Sequence, residues 1–131
     1  MKDEFVPFVS AVIRDKERVL ILRRKRAFMG YLWEFPGGRP EDNETLQKGL
    51  ERIIKEELGI GVEAGNYLCA TGHAIHCELS IKSYVYESVI ESGTITLKNH
   101  EEMKWVLPGE LESYDFAEHH RHVALVLMGK R

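Results

Sequence analysis

Residues 37–60 join a paired-glycine turn to a helix with two adjacent carboxylates near its end. Thr45 is suited to cap the start of this helix, and Gly59 is suited to end it. Between them, apolar residues recur at three- and four-residue steps, at Leu46, Leu50, Ile53, Ile54 and Leu58. This spacing predicts an amphipathic helix that buries one face and begins shortly after a sharp turn. The fold must therefore offer an apolar surface beside that turn.

Runs of β-branched and aromatic residues on both sides of the helix predict that this surface is a sheet. Residues 6–13 and 19–22 are almost continuously apolar and flank a charged turn at 14–18, which predicts a hairpin. Strands of this kind are covered on both faces. The basic run 23–26 is predicted to end the hairpin. Further strands are predicted at 33–35, 62–70, 79–89 and 102–106, with turns at Gly72 and at 92–93, and a last helix at 118–128. The order predicts an α/β fold, an α/β/α sandwich around a mixed sheet, in a single domain over residues 1–131.

Composition excludes several classes of function. The chain has 131 residues, 44% hydrophobic and 30% charged, with a net charge of −3. That balance gives no broad basic field, so polymeric nucleic acid is not expected as a partner. No apolar run approaches the ~20 residues of a membrane span, and the first residues lack the pattern of a signal peptide. Two cysteines in such a chain indicate reduced thiols and a cytoplasmic location. The sequence leaves open a monomer or a homodimer.

The spacing of residues 38–60 resembles the Nudix box, in which Gly, five residues, Glu and seven residues precede Arg-Glu-apolar-any-Glu-Glu-any-Gly-apolar. The matching residues are Gly38, Glu44, Arg52, Ile54, Glu56, Glu57, Gly59 and Ile60. Ile53 stands where the pattern has a glutamate. The resemblance implies the Nudix fold. Segments 23–24, 34–38 and 115–118 are similar to MutT-type members, which implies hydrolysis of a nucleoside (deoxy)triphosphate to a monophosphate and pyrophosphate. Some relatives remove oxidised nucleotides.

The resemblance also implies a metal site. Glu56 and Glu57, with a backbone carbonyl near Gly38, are expected to hold Mg²⁺ or Mn²⁺, because hard cations prefer oxygen ligands. A solvated helix face is the other interpretation of the two glutamates. Arg52 is expected to pair with Glu44, because the corresponding pair in the family braces the loop against the helix. Arg52 is also expected to fix the carboxylates rather than to contact the substrate.

The acid missing at Ile53 has two interpretations. Related enzymes carry another glutamate just before a strand of the form Glu-any-basic-Trp, and residues 100–105 are similar to that element. Glu102 matches best as a metal ligand and as the base that activates water, with Glu101 as its alternative and an exposed acidic turn as the non-catalytic interpretation. The other possibility is a nucleotide-binding Nudix domain with little or no turnover.

Candidate substrate contacts lie on both sides of the box. Arg24 matches a phosphate-contacting position of MutT-type members, with Arg23 adjacent, although four basic residues in a row are also common at solvated strand ends. Gly37 and Gly38 allow the backbone to approach an anion closely. Phe35, with Trp33, is a candidate stacking wall or simply part of a core.

By register, His120 occupies the position that reads the base in the family. His119 and His122 flank it, and His73, His76 and Cys77 form a second group. Phosphate contact by one of these histidines is favoured over a zinc site, because the spacings lack the pairs that zinc sites show.

Overall fold

The computed structural model describes residues 4–26, 30–76 and 79–129, with side chains throughout these ranges except at residues 4, 25, 26, 30, 73–76 and 79. The strands are β1 (Glu4–Asp15), β2 (Arg18–Arg26), β3 (Gly30–Glu34), β4 (Gly37–Gly38), β5 (Gly61–His76), β6 (Leu79–Ser92) and β7 (Glu102–Val106). The helices are α1 (Leu46–Leu58) and α2 (Glu118–Leu127), preceded by a 3-10 helix at Pro108–Ser113.

The sheet is mixed and has two halves. In one half, β1 runs parallel to β6, and β5 pairs antiparallel with β6. In the other half, β2 lies between β3 and β7 and is antiparallel to both. The halves meet where Arg14 pairs with Val19 and Asp15 with Arg18. Before that short seam, β1 pairs with β4 instead, so β1 and β2 diverge and leave a gap in the sheet.

Each face of the sheet carries its own apolar core, as the continuous apolar runs predict. Side chains alternate between the faces, so Ile13 and Leu20 pack under α1 while Val12 and Ile21 pack under α2. The α1 side buries Leu50, Ile53, Ile54 and Leu58, and the α2 side buries Val123 and Ala124. The predicted α/β/α sandwich is confirmed.

Helix α1 has the predicted caps. The Thr45 hydroxyl accepts a hydrogen bond from the Lys48 N–H at 3.1 Å, which satisfies one of the unpaired donors of the first turn. Gly59 ends the helix at φ +74°, and its N–H donates to the Lys55 carbonyl at 3.0 Å. A side chain at that φ would be strained, so glycine is the fitting residue there.

Two predicted interruptions are wrong. The basic run does not end the hairpin: Arg23 to Arg26 continue β2 and pair with β3. Gly72 is not a turn but lies within β5 opposite Lys82. In both cases a partner strand supplies ladder hydrogen bonds, and these outweigh the weak local preference of charged residues or glycine for a break. No helix in the described ranges is long and apolar enough to cross a bilayer.

Candidate active site

A pocket of about 340 Å³ opens at the gap between β1 and β2. Its walls come from both faces of the sheet, because the strands that would close it have separated. The lining residues are Phe8, Ser10, Arg24, Glu34, Phe35, Gly37, Gly38, Glu57, Ile81, Ser83, His119 and His120. Of the residues expected in the site, the structure brings Arg24, Phe35, Gly37, Gly38, Glu57 and His120 to this pocket.

Residues 33–38 cross the gap and carry the glycine turn with them. Trp33 pairs with Arg23 of β2, whereas Gly38 and Gly37 pair with Val9 and Ser10 of β1. A Cβ on Gly37 would overlap the Val9 carbonyl oxygen. Glycine is therefore required for this close approach, which holds the turn at the pocket.

Arg24 dominates the charged end of the pocket, on the α1 side of the sheet. One terminal nitrogen of its guanidinium lies 2.9 Å from His100 Nε2, 3.2 Å from a Glu34 carboxylate oxygen and 3.7 Å from a Glu57 oxygen. His100 Nε2 is also 2.8 Å from the same Glu34 oxygen. Glu34 and His100 are buried, so a charged network reaches from inside the protein to the pocket.

Glu56 and Glu57, the adjacent carboxylates of the Nudix-box pattern, differ in exposure and in their partners. The Glu57 side chain lines the pocket and is 22% exposed, and one of its oxygens accepts a hydrogen bond from the Asn99 amide at 2.7 Å. The Glu56 side chain is 63% exposed and pairs with Arg52 at 3.0 Å. Both carboxylates remain reachable from solvent, as a divalent cation would need, and of the two it is Glu57 that lines the pocket with Gly37 and Gly38.

The expected brace between Glu44 and Arg52 is present. The guanidinium donates to both Glu44 oxygens, with a shortest distance of 2.7 Å. These hydrogen bonds lower the pKa of Glu44, assisted by the Glu41 backbone N–H, which donates to the same carboxylate at 2.8 Å. The carboxylate in turn raises the pKa of Arg52, and Glu56 adds to that effect. Arg52 thus joins the loop after the glycine turn to the acidic face of α1.

Ile53 fills the place of the missing glutamate with apolar packing. Its side chain is 6% exposed and belongs to the core under α1. A Cβ built on Gly38 would lie 3.4 Å from an Ile53 methyl carbon, so the isoleucine supports the glycine turn from below. A carboxylate at this place would lie against the same backbone.

Arg23 and Glu102 lie on the other face of the sheet. They are directly opposite each other on β2 and β7 and form an ion pair at 3.1 Å. Trp33, the partner of Arg23 on β3, is buried in the core under α2. Because side chains alternate along a strand, Glu102 and Arg23 point away from the face that carries Glu57. The structure does not bring either to the pocket, and the backbone N–H of the exposed Glu101 donates to the Arg23 carbonyl at 2.9 Å.

The other end of the pocket is aromatic. Phe35 stacks on Phe116 with ring centroids 5.4 Å apart and is almost completely buried. Its N–H donates to Nδ1 of His120 at 3.2 Å, so this nitrogen carries no proton and the ring orientation is fixed. Ser10 and Ser83 share a hydrogen bond at 3.1 Å on the pocket wall. This end of the pocket therefore combines apolar and polar lining residues, namely Phe8, Phe35 and Ile81 with Ser10, Ser83 and His120.

The partner Trp33 belongs to the core rather than to a stacking wall. It is buried and packs edge-on against Tyr114, with ring centroids 5.2 Å apart. Backbone hydrogen bonds from Trp33 to Asp115 and from Ala117 to Trp33 bring the start of α2 to the pocket. The side chains of His73, His76 and Cys77 lie outside those that the structure describes.

Three residues of the charged end were not expected from the sequence: Glu34, Asn99 and His100. Glu34 interrupts the apolar run around Trp33 and Phe35, and a lone acid between two buried aromatics is a usable signal for a buried functional carboxylate. Asn99 and His100 precede β7 in a loop and have no periodic pattern. Their partners are set only by the fold.

Comparison with known proteins agrees with this geometry. The family description "NUDIX domain" matches residues 5–126. The chain is 29% identical over 115 residues to the CTP pyrophosphohydrolase of Escherichia coli (strain K12), covering 87% of this chain and 84% of the relative. It is 26% identical over 121 residues to the 8-oxo-dGTP diphosphatase of Buchnera aphidicola subsp. Schizaphis graminum, covering 92% and 91%.

Solved structures show the same fold. The solution structure of the E. coli ORF135 protein superposes with a TM-score of 0.86 at 25% identity, covering 97% of this chain and 91% of that one. The MutT protein from Methanosarcina mazei Go1 superposes with a TM-score of 0.80 at 22% identity, covering 98% and 96%. The gap in the sheet, the braced box helix and these matches together establish that the chain belongs to the Nudix family, as a hydrolase of the MutT type.

Proposed function

We propose that this protein is a metal-dependent nucleoside triphosphate pyrophosphohydrolase. Water attacks a phosphorus atom of the triphosphate, a P–O bond forms, the anhydride P–O bond breaks, and the products are a nucleoside monophosphate and pyrophosphate. The observation that carries the proposal is the pocket through the sheet, which has carboxylates and a guanidinium at one end and a stacked phenylalanine at the other. A nucleotide has the matching division into an anionic end and a flat base.

The donor set suits a magnesium ion that is completed by its substrate. Among the described residues, no three His, Cys, Asp or Glu side chains are gathered into a metal cage. Mg²⁺ does not need one, since it commonly binds one or two carboxylates, substrate phosphates and several waters. Glu57, Glu56 and the backbone at Gly38 are the groups proposed to hold it. When bound, the metal would polarise the phosphoryl oxygens and lower the pKa of a bound water.

Arg24 is proposed to bind the polyphosphate. It is the cation of the pocket lining, and a guanidinium pairs with phosphate oxygens through two parallel hydrogen bonds. Negative charge that gathers on the phosphate oxygens of the leaving group would be stabilised there. Phe35 would contact the base, and His120, held by the Phe35 backbone, would border it.

Glu102 and Arg23 are not included in this machinery. Their ion pair on the opposite face of the sheet is better suited to fixing β7 against β2. Arg52 and Glu44 are proposed to brace the box, so that their effect on turnover is exerted through Glu56 and the loop.

A nucleotide-binding domain with weak turnover is the second candidate. Ile53 favours it, because a buried isoleucine under Gly38 leaves one acid fewer at the place where the family pattern has three. The close approach of Arg24 to Glu57 also favours it, since the guanidinium partly neutralises a proposed metal ligand.

One assay separates the two candidates. Purified protein is incubated with Mg²⁺ or Mn²⁺ and a panel of triphosphates that includes CTP, dCTP, dGTP and 8-oxo-dGTP, and products are followed by phosphorus NMR. Equal amounts of monophosphate and pyrophosphate support the hydrolase, and their dependence on metal tests the cofactor. Tight nucleotide binding without pyrophosphate release contradicts it and supports the binding domain. Reaction in ¹⁸O-labelled water identifies the phosphorus that is attacked.

A further inference from the structure

Glu34 and His100 hold the guanidinium of Arg24 from behind. Glu34 is on β3 opposite Leu22, and Arg24 is the next residue of β2 on the same face, so the two side chains are diagonal neighbours. His100 reaches them from the loop before β7, and its side chain is only 1% exposed. Three segments therefore meet at one terminal nitrogen of Arg24.

The histidine tautomer decides which neighbour His100 Nε2 bonds, and each tautomer leaves it one partner in this group. With a proton on Nε2, the imidazole donates to Glu34 at 2.8 Å, and without that proton it accepts from Arg24 at 2.9 Å. The Glu34 carboxylate faces the guanidinium at 3.2 Å in both cases. Charge-assisted bonds of this kind are short and directional, so they restrict a long side chain to one orientation.

Burying Glu34 and His100 beside Arg24 is not explained by a gain in stability. Burying a carboxylate and an imidazole removes them from water, and a buried ion pair often adds little net stability. Arg24 itself is 32% exposed and lines the pocket together with Glu34 and Glu57. The buried members of the group thus support a cation whose outer side remains available to a ligand.

We propose that Glu34 and His100 are positioning residues, which form a buried clamp that aims Arg24 at the polyphosphate of the substrate. The clamp also keeps the guanidinium shared between Glu34 and Glu57, at 3.2 and 3.7 Å, instead of closing on Glu57 alone. The inference rests on the proposed function, because it takes the ligand of Arg24 to be a nucleoside triphosphate.

The test is a double-mutant cycle on binding. The probe is the α,β-methylene analogue of dCTP with Mg²⁺, titrated by calorimetry into wild-type protein, Glu34→Gln, Arg24→Met and the double variant. Both single variants should bind about tenfold to hundredfold more weakly, as expected for the loss of a charge-assisted contact. The double variant should bind no more weakly than Arg24→Met, because the clamp acts only through the arginine.

Two controls remove a purely structural explanation. Glu87→Gln removes the charge from the 2.7 Å ion pair between Glu87 and Arg14, another partly buried pair of the sheet, and should leave binding unchanged. His100→Gln retains an amide donor near Glu34 and should recover part of the affinity that His100→Ala loses. If Glu34→Gln does not fold, the variants His100→Ala and His100→Gln are compared in the same binding experiment.

A second measurement needs no nucleotide. The side-chain Nε–H signal of Arg24, followed by ¹⁵N relaxation, should report an ordered guanidinium in wild-type protein and a mobile one in Glu34→Gln. Wild-type protein that does not bind the analogue would overturn the proposed function, and an equally ordered Arg24 in both proteins would overturn the clamp. Binding by Glu34→Gln at the wild-type affinity would overturn the clamp alone.

Discussion

The two ends of the pocket are held by different kinds of interaction. At the charged end, side chains from β2, β3, α1 and the loop before β7 meet through ion pairs and hydrogen bonds. At the aromatic end, Phe35 is fixed by stacking on Phe116 and by its own backbone N–H. The first end depends on charge and the second on packing. Substitutions at the charged end should therefore change turnover more than stability, and those at the aromatic end should change both.

The largest effect on stability is expected from Phe35→Ala. Phe35 is almost completely buried, and removing a buried phenyl ring costs about 3–5 kcal/mol. Urea unfolding would measure the loss, and the Phe35→Leu variant, which keeps most of the volume, should lose much less. A loss below about 1 kcal/mol would show that this end is not held by packing, since buried Phe to Ala rarely costs so little.

Glu57→Gln should have the largest effect at the charged end. Replacing the proposed ligand by a neutral amide is expected to lower kcat at least about a hundredfold, more than the loss of an outer partner does. The melting temperature should change little, because the side chain is partly exposed. Glu63→Gln, at an exposed position of β5, is the control. Unchanged turnover in Glu57→Gln would remove Glu57 from the mechanism.

Ile53→Glu tests charge and packing together, because it places a charged side chain in the apolar core under α1. Burying a carboxylate against Gly38 should destabilise the metal-free protein by more than the ~1–3 kcal/mol that an unsatisfied neutral polar group costs. Mg²⁺ should restore part of that stability, and kcat should rise if the site lacks an acid. Ile53→Gln has a similar size and no charge, and should show no recovery with Mg²⁺. No gain in kcat for a folded Ile53→Glu protein would indicate that turnover already proceeds without that acid.

The smallest effect is expected from the titration of Glu44, as a change in the stability of the protein at acidic pH. The Arg52 hydrogen bonds hold the pKa of Glu44 below its ordinary value of 4.5, so the carboxylate is more acidic in the folded protein than in the unfolded chain. Its contribution to stability is complete above 4.5 and is lost as the pH falls through the lowered folded value. Glu44→Gln should flatten the pH dependence of unfolding in that acidic range. An identical dependence in wild-type and variant would show that the brace does not persist in solution.

The sequence predicted where helices and strands lie better than it predicted which face of the sheet each side chain occupies. Helix α1 has local signals, Thr45, Gly59 and the apolar steps, and its bounds agree with the prediction. Glu102 illustrates the limit, since the residues around it matched a pattern but its side of the sheet depends on the pairing of β7 with β2. Trp105, three residues later, packs on the α1 side, so alternation alone places Glu102 opposite. Parity along the strand could have indicated this.

The charged end was predictable in part. Glu57, Arg24 and the glycine turn belong to local motifs, so a single sequence can identify them. His100 and Asn99 act through Glu34 and Glu57, which are 66 and 42 residues away in the chain. Contacts between such distant residues arise from topology, and no local pattern contains them. The adjacent basic residues Arg23 and Arg24 separate for the same reason, because neighbours in a strand face opposite ways.

The sheet consists of two halves that are joined by the short pairing of β1 with β2. Only the two residue pairs at its end connect these strands in the described part of the chain, and residues 33–38 span the opening above them. A nucleotide lodged in this opening would contact both parts and join them as a missing strand would. Amide protons along both margins of the opening should then exchange with deuterated solvent more slowly in the complex. Those where Gly61–Ala64 pairs with Ser88–Ser92, an end of the β5–β6 pair that contributes no lining residue to the pocket, should keep their rates.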